Sequence, residues 1–151
     1  MSTSGELAEK TRQVRTYWNA RIHDLEMTDK PPGSKAFFEE LDDYRFDKLA
    51  YLPQVIDFAG FEGKRLVEIG WGIGTDPVRF AKGGARVMGV DLSETAIRLA
   101  RRNLEVHGFA PDRFLIGDGS RLPLPGGGRR NQQRQDQRQD QVPHSQMPSA
   151  C

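Results

Sequence analysis

The stretch Leu66 to Gly74, LVEIGWGIG, constrains this chain more than any other. An apolar run of strand character breaks there into a glycine loop, with an acid, Glu68, two residues before the first glycine. Glycine lacks a Cβ, so the backbone at Gly72 and Gly74 can turn sharply and approach a bound molecule closely. A strand that opens into such a loop is expected to place bare main chain against a small ligand.

Two further apolar runs end in acids. Val87 to Val90 leads into Asp91, and Phe114 to Ile116 leads into Gly117 and Asp118. In an open parallel sheet the ligand lies outside the carboxyl ends of the strands, so three such ends outline one crevice. An ionised carboxylate such as Asp91 only accepts hydrogen bonds, which suits the hydroxyl donors of a ribose. The segments between the runs read as helices. Ser34 is a candidate N-cap for an amphipathic helix from about Lys35 to Leu52, and Ser93 for one whose apolar positions are Ala96, Ile97, Ala100 and Leu104, closing at Gly108. Asp76 and Pro77 read as N-cap and first residue of a helix that stops at Gly83 and Gly84. Alternating strands and helices predict an α/β, Rossmann-like parallel sheet with flanking helices.

Through VEIGWGIGTD, GVDLSETAIRLARRN and IGDGSRLPLP, the chain resembles the class I S-adenosylmethionine (SAM) dependent methyltransferases over roughly residues 13 to 126. The resemblance implies SAM as cofactor and methyl transfer as activity. It also implies that Gly70, Gly72 and Gly74 line the methionine part of SAM, with Glu68 assisting its ammonium group. Asp91 would hold the ribose hydroxyls, Leu92 would border the adenine, and Asp118 with Gly119 would flank the adenine edge. Trp71 stands where the family often has a small residue, and an indole there would narrow the loop mouth. The segment before the loop often folds over the cofactor in this family. Local readings compete at the acids: Asp91 can help to start the following helix, and Asp118 can be an ordinary turn residue. A nicotinamide dinucleotide site is the rival for the whole motif, but its fingerprint wants the third glycine where this chain has Thr75.

The chain divides on paper into a helical leader (residues 1–52), a partial SAM-binding domain (53–125) and a low-complexity tail (126–151). The tail holds seven glutamines and repeats Arg-Gln-Asp-Gln at 134–137 and 138–141, a composition expected to be disordered. The expectation is that the reading frame or the gene breaks near Gly126, a genuine disordered tail being the alternative. The family's fourth strand would then be missing and the first strand would be an exposed edge that favours association. No catalytic residue can be named, because those facing the acceptor often follow the fourth strand. A noncatalytic fragment and a nicotinamide-dependent oxidoreductase remain the other function classes.

With 22 Lys and Arg against 21 Asp and Glu, the formal net charge is +1. That balance predicts a small-molecule methyl acceptor, with no strong pull toward nucleic acid or membrane. The polar first residues carry no secretory pattern, which makes the cytoplasm the expected compartment. A single cysteine, Cys151, and three scattered histidines, His23, His107 and His144, predict neither a disulfide nor a metal site.

Overall fold

A computed structural model describes residues 4–22 and 24–122. The chain divides into two units, Met1–Arg121 and Leu122–Cys151, and the fold described here is that of the first. The tail, with the expected frame break and Cys151, lies outside the described residues, as do His23 and His144.

The architecture is α/β. Three strands, β1 (Arg65–Ile69), β2 (Arg86–Asp91) and β3 (Arg113–Ile116), form a parallel sheet in the order β1-β2-β3. Glu68 pairs with Gly89 and Ile69 with Val90, while Asp91 pairs with Ile116. The three carboxyl ends therefore lie side by side, as their terminal acids and glycines predict. Two helices make the crossovers: α4 (Thr75–Lys82) between β1 and β2, and α5 (Glu94–Val106) between β2 and β3. Among the described residues β1 is an edge, and its Val67 and Ile69 are 38% and 58% exposed.

Helix α5 follows its sequence pattern. Ser93 caps it by accepting a hydrogen bond from the Ala96 amide (3.1 Å), and Ala96, Ile97, Ala100 and Leu104 are buried, while Arg98, Arg101 and Arg102 stay in water. Gly108, at φ +83°, turns the chain out of the helix, a conformation that only glycine adopts without strain. The core between helices and sheet gathers Trp71, Val78, Ala81, Val87, Ala100 and Leu104, with Phe80 and Phe114 packed against it.

The leader forms α1 (Ser4–Ala20), α2 (Lys35–Lys48) and a short α3 (Leu52–Val55). Ser34 caps α2 through the Phe37 amide, and Phe37, Phe38, Leu41 and Phe46 are buried. The sequence pattern extends this helix to Leu52, but α2 ends at Lys48. Proline explains the difference. Pro53 has no N–H to give to the carbonyl of residue 49, so the chain breaks at Leu49 and restarts with Pro53 in the first turn of α3.

Two ion pairs of opposite polarity hold α2 on α4. Arg45 of α2 donates twice to Asp76 of α4 (3.0 and 2.7 Å), and Arg79 of α4 donates twice to Asp42 of α2 (2.9 and 2.6 Å). The Arg79 guanidinium also lies 3.5 Å from the centre of the Phe46 ring. Planar two-point contacts of this kind fix direction as well as distance, so the leader is held across the start of α4, immediately after the glycine loop.

Candidate cofactor cleft

The carboxyl ends of β1 and β2 open into a cleft of about 470 Å³. Its floor is main chain. Gly70 and Gly72 line it at φ +77° and +57°, and a Cβ built on either would meet nothing within 4 Å. Both positions thus present bare backbone toward open space, which a side chain would occupy. Gly74 differs. It caps α4 at φ +79°, and a Cβ there would stand 2.8 Å from the Trp71 indole nitrogen and 3.1 Å from Ala100, so its smallness serves the approach of α4 to α5 behind the cleft.

Trp71 points the other way from the expectation of a narrowed mouth. Its ring is 3% exposed, lies on Gly89 of β2 and packs 5.2 Å from the Phe114 ring. An indole is too large and apolar to stay at a wet loop when a glycine in the neighbouring strand leaves space under it. It is a core residue that also counts among those lining the cleft.

Glu68, from β1, and Asp91, at the end of β2, both line the cleft. Glu68 is partly buried, and one of its carboxyl oxygens is fully buried with no hydrogen-bond partner. Burial pushes its carboxyl up to about 8, the nearby Asp76 carboxylate adds to this, and Arg45 opposes it. The unpartnered oxygen leaves a place at the cleft wall for a donor, which Arg45, bonded to Asp76, does not fill. Asp91 is placed by two backbone bonds: the Gly72 amide donates to one oxygen (2.9 Å) and the Ser93 amide to the other (2.8 Å). The second bond starts α5, as the local reading has it, and the first ties the acid to the glycine loop. A carboxylate has about four acceptor sites, so two remain for a ligand.

Leu92 and Gly119 line the same cleft, together with Gly117. Asp118 does not. It accepts from the Ser120 amide (2.9 Å) and hydroxyl (2.7 Å), and these bonds hold its carboxyl below the usual carboxylate range, with Thr11 of α1 contributing a further one. The structure thus brings six of the eight expected residues to one cavity wall and sets Gly74 and Asp118 beside it.

The remaining wall comes from the leader. Trp18, Ile22, Leu41 and Arg45 line the cleft, and so does Asp76. The sequence reading makes Asp76 an N-cap, but the N-cap is Gly74, with no side-chain cap bond, and Asp76 lies in the first turn paired to Arg45. An acid is favoured at either place, because the first turn and the cap both face the positive end of the helix dipole. Arg45 was not singled out by the sequence, since nothing local marks a cation whose partner is 31 residues away.

Residues 66–129 match a family model described as a methyltransferase domain. The match takes in the parallel sheet and the glycine loop, and it supports an enzyme of the methyltransferase class. Two similar proteins are MJ1653 and MJ1649 of Methanocaldococcus jannaschii, whose names provisionally assign them as ribosomal RNA large subunit methyltransferases. Each is 39% identical over 59 residues, which is 39% of this chain and 15% of the relative. The chain therefore spans a small part of the length of the curated relatives it matches. Their names overturn the expectation of a small-molecule acceptor with no nucleic acid. That expectation leaned on net charge, which averages over the whole surface and says nothing about one face of it. No helix among the described residues is long and apolar enough to cross a membrane.

Proposed function

We propose that the cleft binds SAM and that the protein transfers its methyl group to RNA. The observation that carries the cofactor reading is the buried Glu68 carboxyl with an unpartnered oxygen, set beside bare backbone at Gly70 and Gly72. An amino acid ammonium offers the cationic donor that Glu68 lacks, and the open main chain takes the methionine part. Asp91 accepts from the ribose hydroxyls on the oxygen sites that Gly72 and Ser93 leave available. Leu92 supplies an apolar border for the adenine, with Gly119 and Asp118 at its edge. Gly74 acts at one remove, by letting the loop turn into α4.

The bound cofactor supplies an electrophilic methyl carbon on a sulfonium, so the chain's own work is positioning a nucleophile in line and keeping the cleft dry. The leader supports this. Trp18, Ile22 and Leu41 give the cleft an apolar side, and the paired ions between α2 and α4 hold that side in place. RNA as acceptor is supported by the names of the two relatives.

The test is incubation of the full chain with methyl-labelled SAM and large-subunit ribosomal RNA. Label entering the RNA is the expected result. Saturable SAM binding without labelled RNA would remove the acceptor assignment and leave the cofactor site.

A further inference from the structure

We propose that Asn103 of α5 is a positioning residue for the glycine loop. The inference rests on the reading of the cleft as a SAM site. Asn103 stands in the buried stripe of α5, next to Leu104 and one turn from Ala100, and is 2% exposed. Its side-chain amide donates to the carbonyl of Ile73 at 3.0 Å. Its side-chain oxygen is buried and has no hydrogen-bond partner.

An amide half satisfied in a core is an expensive choice. A buried polar group without a partner loses its hydration and gains nothing back, whereas leucine has the same branching and no polar atom. Every other inward position of α5 is apolar apart from the capping Ser93, so the stripe itself has no use for an asparagine. What the residue does have is the Ile73 carbonyl, which lies between Gly72 and Gly74, both in the left-handed region. Glycines of this kind have the widest conformational choice of any residue, and a loop made of them is stiff only where something holds it.

The holding is two-sided. Asp91, from the end of β2, takes the Gly72 amide at 2.9 Å, and Asn103 takes the Ile73 carbonyl at 3.0 Å. Two side chains from different elements thus pin consecutive residues of the loop whose bare backbone forms the cleft floor. Asn103 does not line the cleft, and it acts through Ile73, which does. A loop ordered in advance loses less freedom when a ligand binds.

The experiment replaces Asn103 with leucine and reads three quantities on the full chain: unfolding temperature, amide exchange at Gly72 and Gly74 in the ligand-free protein, and SAM affinity. The Asn103→Leu chain should unfold close to the wild-type temperature, because losing the unpartnered side-chain oxygen offsets leaving the Ile73 carbonyl without its donor. Its loop amides should exchange about tenfold faster, and its SAM affinity should fall about tenfold. SAM affinity falling while the unfolding temperature changes little is the signature, since a merely structural residue would lower both. Asn103→Ala, which leaves a small cavity but no clash, should give the same faster exchange. Unchanged exchange in both variants would overturn the proposal, and so would faster exchange with unchanged SAM affinity. If the wild-type chain binds no SAM, the cofactor reading falls, while the exchange data still decide whether Asn103 holds the loop.

Discussion

The Trp71 indole occupies the space that a side chain on Gly89 would need: a Cβ at residue 89 would stand 1.5 Å from Cε3 of the ring. The glycine loop and the central strand are therefore complementary in size. The loop's one large residue is anchored in the core through the strand's one missing side chain.

This pairing predicts the outcome of Gly89→Ala. The methyl group has no room unless the indole moves, and moving it disturbs Phe114 as well. Overpacking a tight core costs roughly 1–3 kcal/mol, and denaturant unfolding should show a loss of at least that size. Combining Gly89→Ala with Trp71→Leu should recover part of it, because the smaller side chain vacates the contested space.

The two ion pairs between α2 and α4 should be measurable as coupling. Asp42, Arg45, Asp76 and Arg79 are partly exposed, so solvent screens them and each pair is expected to contribute about 1 kcal/mol. A double-mutant cycle on Asp42→Ala and Arg79→Ala should return a coupling of that order, diminished in high salt. A coupling near zero would mean that the leader is held by its apolar contacts alone.

Glu68 should make both stability and binding depend on pH. In the folded chain its carboxyl is held up to about 8, against 4.5 for an ordinary glutamate. Between those values the folded protein binds more protons than the unfolded one, so this group's contribution to stability declines as pH rises through that window. Glu68→Gln should flatten the decline. An ammonium ligand reverses the preference by favouring the carboxylate, so SAM affinity in the wild type should rise with pH toward about 8, with proton release seen as a buffer-dependent binding enthalpy. In Glu68→Gln that pH dependence should disappear.

Asp91→Ala removes the acceptor for the Gly72 amide and the proposed acceptor for the ribose. Loss of a charged hydrogen-bonding partner is worth roughly 1.5–3 kcal/mol, which is about 10- to 100-fold in affinity. Calorimetry with the demethylated product S-adenosylhomocysteine checks this without involving the methyl group. A change under threefold would separate Asp91 from the ribose.

Much of the fold was legible because its signals are local. The three strands, the Ser34 and Ser93 caps and the Gly108 terminator depend on a few adjacent residues, and each stands where the pattern puts it. Asp76 was misplaced by two positions because acids are favoured at both ends of that interval. The direction of Trp71 depends on a glycine 18 residues away in another strand, and the role of Arg45 on an acid beyond the loop. Neither can be read from neighbours in sequence. The buried Asn103 reads as one more polar residue in an arginine-rich stretch, RRN, and only the Ile73 carbonyl against it gives it meaning. The nature of the acceptor was the least legible feature, since none of the residues that form the cleft wall specifies what approaches it.

The central claim is that the floor made by Gly70 and Gly72 between Glu68 and Asp91 receives SAM. Isothermal titration of the folded full chain with SAM tests it most directly. A saturable, one-site isotherm that is weakened in Asp91→Ala is the predicted result. A flat titration from a sample whose circular dichroism shows it folded would contradict the account.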